Sequence, residues 1–152
     1  MATATQALTE QLALVGRVSP QLVDNNTQDT AWIDMSKFRR VAFLLLLGAT
    51  DIVVDFKLRS ATDSSGTGAA DISGKAITQL TATDDNKETW NEIRADEMAA
   101  LASGAGRRYV SARVTVGDGT LGGNVAVAAL AGVARNEPAA DNDLATVVQI
   151  VR

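Results

Sequence analysis

The 152-residue chain has no cysteine and no histidine. Without cysteine there is no disulfide and no thiol nucleophile, and the sequence carries no sign of its redox compartment. Without histidine the chain loses the commonest general base, the commonest metal ligand and the side chain that titrates near neutrality. Aromatics are scarce at 4%: Trp32, Trp90, Phe38, Phe43, Phe56 and Tyr109. So few rings suit thin, closely packed sheets of Val, Leu and Ala better than a large ring-lined cavity. Long hydrophobic runs are missing as well. The longest, VAFLLLLGAT over 41–50, is about half of the roughly 18 residues a membrane span requires. The N-terminal MATATQALTEQLALVG has Glu10 in its middle and no basic segment, which is not the pattern of a secretory leader. The expectation is a soluble protein made in the cytoplasm.

Basic charge is short too. The net charge of −4 argues against non-specific nucleic-acid binding, which needs a positive field. The doublets Arg39–Arg40 and Arg107–Arg108 each open an apolar run and read as solvated strand ends.

What the sequence does have is alternation. In VVDFKLRS (53–60), Val54, Phe56 and Leu58 point one way and Asp55, Lys57 and Arg59 the other: a strand with one solvated face. RYVSARVTVG (108–117) repeats the pattern. RVAFLLLL (40–47) and NVAVAALAGVAR (124–135) are apolar on both sides and read as central strands covered on both faces. TAWID (30–34) and ATVVQIVR (145–152) read as further strands, with AITQL (76–80) and TWNEI (89–93) as shorter ones. Polar turn clusters such as LVDNNTQD (22–29) fall every 8–12 residues or so, the spacing of a sandwich or barrel. One helix is expected over 94–104, with Asp96 and Glu97 in its first turn, Met98, Leu101 and Ala102 on one face, and Gly104 closing it. The fold class is therefore all-β, mainly an antiparallel β-sandwich of jelly-roll or immunoglobulin-like type, with one short connecting helix. Residues 1–20 read as an N-terminal arm, its apolar anchors compatible with helix or strand, and 21–152 as a single sandwich domain.

The stretch SATDSSGTGAADISG (60–74) invites a functional reading. It lacks the Lys-Ser/Thr ending of a phosphate loop and the third glycine of a dinucleotide fingerprint. Its DSSG is one residue too long for an aspartic-protease loop, and there is no second copy. Calcium oxygens are available at Asp63, Ser65 and Asp71, at Asp84, Asp85, Asn86 and Glu88, and at Asp141, Asn142 and Asp143. None has EF-hand spacing, and turns use the same residues. The reading is of solvated turns, with no catalytic residue, metal or cofactor. Trp32 and Trp90 suit sugar stacking, although a lone Trp in a sandwich is more often core or an interface anchor.

The order of segments carries a resemblance. TAWIDMSKFRRVAFLLLLGA precedes DFKLRSATDSSGTGAADISGKAITQLTATDDNK; then come IRADEMA, YVSARVTVG and finally VAALAGVARNEPAADNDLATVVQIV. Over about residues 28–152 this succession resembles the capsid decoration proteins of tailed bacteriophages, also described as cement or auxiliary head proteins. The resemblance implies a non-enzymatic β-sandwich on the outer surface of the virion, bridging major capsid protein subunits, with self-association as a dimer or trimer. It brings no nucleic-acid, membrane or cofactor partner. The residues expected at partner contacts are Leu8, Leu12, Leu14, Val15 and Trp32. Two other classes stay open: a tail or connector component, and a carbohydrate-binding module displayed on a virion.

Overall fold

Antiparallel pairing organises the chain into two sheets. The computed structural model describes residues 6–101 and 106–151. One sheet holds β1 (Leu12–Val23), β9 (Gly123–Ala134), β4 (Phe38–Thr50) and β7 (Glu88–Arg94), hydrogen-bonded in the order β1-β9-β4-β7. The other runs β2 (Asn26–Asp29), β8 (Tyr109–Val116), β5 (Val54–Ala61) and β6 (Ala70–Ala76), with β3 (Ile33–Asp34) also pairing β8. Every pairing is antiparallel. If β2 and β3 count as one interrupted strand, successive strands alternate between the sheets except at the β5–β6 hairpin. That connectivity is a jelly roll and not an immunoglobulin fold.

The core lies between the sheets and follows the period-2 pattern. Phe43 and Leu45 from β4, Phe56 and Leu58 from β5, and Val110 and Val114 from β8 are all buried there, against Ala129 and Ala131 of β9. Residues 53–60, 89–93, 108–117 and 124–135 form strands close to where the sequence places them. Residues 40–47 lengthen by a few positions at each end.

Several expectations change. The turn cluster at 22–29 contains β2, in which Thr27 pairs Thr115 and Asp29 pairs Arg113. Their hydroxyl and carboxylate groups bond across the strands, so cross-strand pairing overrides the turn preference of a polar tetrapeptide. Within 30–34 only Ile33 and Asp34 are strand, because Thr30 bonds β8 partly through its side chain. Of residues 76–80, Ala76 ends β6 opposite Lys57, Ile77 donates to the Phe56 carbonyl and Leu80 bridges to Val54, whereas β6 begins inside the glycine-rich stretch, anchored by buried Ile72.

The C-terminal residues 145–151 form no strand. Asp143 accepts from the Leu14 N–H and Leu144 donates to the Leu14 carbonyl, after which Val147 turns back to donate to Leu144. Beyond the turn Val147, Gln149, Ile150 and Val151 line a hollow with Leu12, Leu14 and Leu130 without joining the ladder, and Val148 is 96% exposed.

The helix expected over 94–104 is the single turn α2 (Ala95–Ala99), with Met98 buried and Glu97 accepting from the Arg94 N–H. Leu101 follows it, and Ala102 and Gly104 lie outside the described residues. The N-terminal stretch is helix and strand in turn: α1 (Leu8–Gln11) runs into β1, so the boundary drawn at residue 20 falls inside a strand. Pro20 sits where the β1–β9 register shifts between Val18 and Gln21, a place where a missing N–H breaks no ladder bond.

Candidate interaction surface

The outer faces of the two sheets are opposites. On the β2-β8-β5-β6 sheet the outward residues pair among themselves. Arg113 holds Asp29 through two hydrogen bonds of 2.7 and 2.6 Å, and Asp71 accepts from Lys57 at 2.6 Å and Arg59 at 3.2 Å. Arg108 reaches Asp34 at 3.2 Å and stacks over Tyr109. This face is finished with its own charges.

The outward positions along the middle of the β1-β9-β4-β7 sheet are apolar, with Arg17 on β1, Arg40 on β4, and Glu88, Glu92 and Arg94 on β7 around them. Strand β4 presents Ala42, Leu44 and Leu46, and β9 presents Ala126, Ala128 and Leu130 in register beside them. Trp90 of β7, paired with Leu44, is 59% exposed, and Leu22 near the other edge is 61% exposed. An antiparallel sheet that faces water on one side normally carries polar residues there. Adjoining apolar side chains of this kind mark an interaction surface. The double-sided apolar patterns of 40–47 and 124–135 thus have two origins: the inner side fills the core, and the outer side is open.

Three of the five expected contact residues gather on this face. Leu8, 67% exposed on α1, and Leu12 line a groove of ≈ 310 Å³ with Arg40, Ala42, Leu130 and Val133. Leu14 pairs Leu130 beside it. Val133 has φ 52 and is half exposed; a β-branched residue in the left-handed region is an outlier of the kind held at functional surfaces.

Val15 and Trp32 lie elsewhere, at a second hollow that also includes Asp34 and Tyr109. Val15 packs partly against the core. Trp32 is covered by the glycine-rich loop. A Cβ on Gly66, which has φ +83, would sit 2.6 Å from the indole nitrogen, so only glycine lets the loop lie on that ring.

The same loop settles what the carboxylates of 60–74 do. The Thr67 side chain and N–H, with the Ser65 and Gly66 amides, hold the Asp63 carboxyl below its usual range. Asp71 is held low by Lys57 first and by Arg59. Asp84 accepts from Thr81 and Lys87, and Asp85 from the Thr50 N–H. Among the described residues no group of three His, Cys, Asp or Glu side chains is placed to hold a metal ion.

Two structural residues escaped the sequence reading. Arg107 is no solvated strand end: it donates to the Ser60 carbonyl at 2.9 Å and the Gly68 carbonyl at 2.6 Å, tying the loop to β5. Asp51 accepts from the N–H groups of Leu121, Thr120 and Gly122. Those bonds, Leu121 first, lower its carboxyl below the ordinary range.

A carboxyl with a depressed folded pKa stabilises the fold above its unfolded value of about 3.9 and loses that contribution as pH falls. Asp51, Asp63, Asp71, Asp84 and Glu97 all shift this way. The urea midpoint is therefore expected to hold steady from pH 7 to about 5 and to fall below pH 4. Asp51→Asn is expected to lower the neutral midpoint and flatten the fall. A midpoint constant down to pH 3 would refute this.

Compared with known proteins, the chain matches no family model, and no curated protein is similar to it.

Proposed function

We propose that this protein is a structural component of a tailed-phage virion that decorates the outside of the capsid and stabilises the shell by bridging major capsid protein subunits. The observation that carries the reading is the uncovered apolar sheet face on a sandwich whose other face is internally ion-paired. Such a domain is completed by another protein surface. The resemblance of the segment order to decoration proteins is what points to the virion. The jelly roll is compatible with that role, although a fold alone assigns none.

The mechanism is mass action. A protein that binds only the assembled, expanded lattice stabilises it by RT ln(1 + [L]/Kd) per site. Copies joined to one another gain avidity without new contacts to the shell. In this reading α1 and its groove, with Leu8 and Leu12, face the capsid. Deleting residues 1–18 would remove half of β1, so the informative variant is Leu8→Asp at an exposed position. Purified protein is expected to co-sediment with expanded capsids and not with immature ones. Leu8→Asp is expected to weaken that binding about tenfold with an unchanged urea midpoint. Equal binding to both shells, or to neither, sinks the proposal.

The exposure of Trp90 between Glu88 and Glu92 on one strand face favours a second reading, a carbohydrate-binding module. It requires glycan binding that disappears in Trp90→Ala.

A further inference from the structure

We infer that the cleft between the glycine-rich loop and the short helical turn Ala139–Asn142 is a carbohydrate site, and that it takes an uncharged oligosaccharide. The cleft lies apart from the apolar sheet face, so the inference does not depend on capsid decoration. It places the sugar at Trp32 and not at Trp90.

Two open hollows of ≈ 480 and ≈ 570 Å³ adjoin here and share Lys37, Asp141 and Asn142 as a common wall. Trp32 and Tyr109 line the first, Arg135 and Asn136 the second. Both volumes fall within the roughly 300–1,000 Å³ of small-ligand sites, and their succession suits a chain of rings. Trp32 is half-buried yet stands outside the core. What fixes its ring is the loop at Gly66, and Arg107 fixes the loop through the Ser60 and Gly68 carbonyls. The facing turn is held by buried Ala139 and by the bond from the Leu14 N–H to Asp143. Both walls are therefore set before a ligand arrives. A fixed aromatic ring beside an open hollow offers apolar surface to the C–H face of a pyranose at little further cost in ordering.

The polar groups select the ligand. Among the described residues the Lys37 ammonium makes no ion pair and acts on Asp34 only at a distance. The Asp141 carboxylate and the Ser64 hydroxyl have no hydrogen-bond partner there, nor have the Arg135 guanidinium and the Asn136 amide in the second hollow. The other carboxylates of the cleft are engaged, Asp34 by Arg108 and the Ser36 N–H and Asp143 by the Leu14 N–H. An anion in either hollow meets Asp141, and a cation in either meets Lys37. A hydroxyl conflicts with neither, because it donates to the carboxylate and accepts from the ammonium. Neighbouring hydroxyls on a neutral ring satisfy such a mixed wall with charge-assisted bonds, the stronger kind.

The test follows the NMR shifts of the backbone and indole N–H groups of the full chain during titration. The probes are maltotriose, cellotriose and the trimer of N-acetylglucosamine, with sodium sulfate as the anion control. At least one sugar is expected to bind with a Kd of about 1 mM or tighter, shifting the Trp32 indole and the amides of Ser64 and Asp141. Lys37→Ala and Asp141→Ala, both at exposed positions, are each expected to weaken binding about tenfold with the urea midpoint unchanged, as loss of one charged hydrogen bond does. Trp32→Ala is expected to abolish it.

No shift with any of the three sugars at about 10 mM overturns the inference. Binding indifferent to both Lys37→Ala and Asp141→Ala overturns it too. Shifts at the Trp90 indole in place of Trp32 put the sugar on the sheet face, and the inference fails while the second reading stands. Sulfate binding at Arg135 without sugar binding makes the cleft an anion site and also sinks the inference. Capsid binding is read separately by co-sedimentation, so decoration and the sugar site can fail independently.

Discussion

Replacing Phe43 with alanine is expected to cost about 3–5 kcal/mol. The ring is fully buried on β4, an interior strand of its sheet. Its cross-strand neighbours are Ala129 on β9 and Asn91 on β7. Alanine has no side chain to swing into the vacated space. Asn91 is fixed by its bond to the Lys75 carbonyl at 2.8 Å. The cavity therefore stays open, which puts the cost at the upper part of the range for such truncations. Against a total stability of about 5–15 kcal/mol, the variant is marginal at 37 °C. At roughly 2–4 °C per kcal/mol, the midpoint of thermal unfolding is expected to fall by about 10 °C or more. Urea unfolding with an unchanged slope gives the free energy directly. A loss below about 1 kcal/mol would show that the core collapses around the site. Leu46→Ala on the same strand makes the contrast: it points outward, and monomer stability is expected to change little.

Phe43 and Leu46 share one apolar run, and the sequence alone does not tell their roles apart. Alternation located β5, β7 and β8 because one side of each strand carries charge, and the charge marks the outside. On β4 and β9 both sides are apolar, so the natural reading was burial on both faces. The chain covers one fully, and on the other it supplies only α1 and residues 147–151 at the Leu12–Leu14 end. Hydrophobic patterning records all the surfaces a protein buries, including those it buries against other molecules, and a single chain cannot separate the two. The same limit explains the contact residues. Leu8, Leu12 and Leu14 were legible as apolar anchors on an arm. Leu44 and Leu46, at the centre of the open face, belong to a run that reads as covered on both faces, and for Trp90 core, interface and sugar platform read alike.

The missed structural residues have a different cause. Asp51 and Arg107 act through backbone groups 39–71 positions away in sequence, and no local spacing encodes such a bond. In the C-terminal residues the error runs the other way. ATVVQIV has β propensity, but a strand also needs a free edge beside it, and the bonds at Leu14 and Leu144 direct the chain past that edge.

Thr30→Val tests how the sheet bridges its own interruption. Between β2 and β3 the ladder to β8 is carried in part by the Thr30 side chain. The Thr30 N–H donates to the Ala112 carbonyl at 2.9 Å, and the Ala112 N–H donates to the Thr30 hydroxyl at 3.0 Å. Ser111 in turn donates its hydroxyl to the Thr30 carbonyl at 2.8 Å. All three residues are buried. Valine keeps the shape and the β-branch but removes the acceptor, leaving the Ala112 N–H unpaired where water does not reach it. The expected cost is about 1–3 kcal/mol, the desolvation penalty of one orphaned buried donor. Thr30→Ser restores the oxygen and loses a methyl, so it is expected to be the milder change. Amide exchange separates the cause from general loosening: Ala112 should lose protection in Thr30→Val beyond its neighbours Val110 and Val114. If Thr30→Val is neutral, or if Thr30→Ser is the more damaging of the two, the methyl and not the hydroxyl holds this joint. The interruption between β2 and β3 would then be a packing feature of the jelly roll rather than a hydrogen-bonded one.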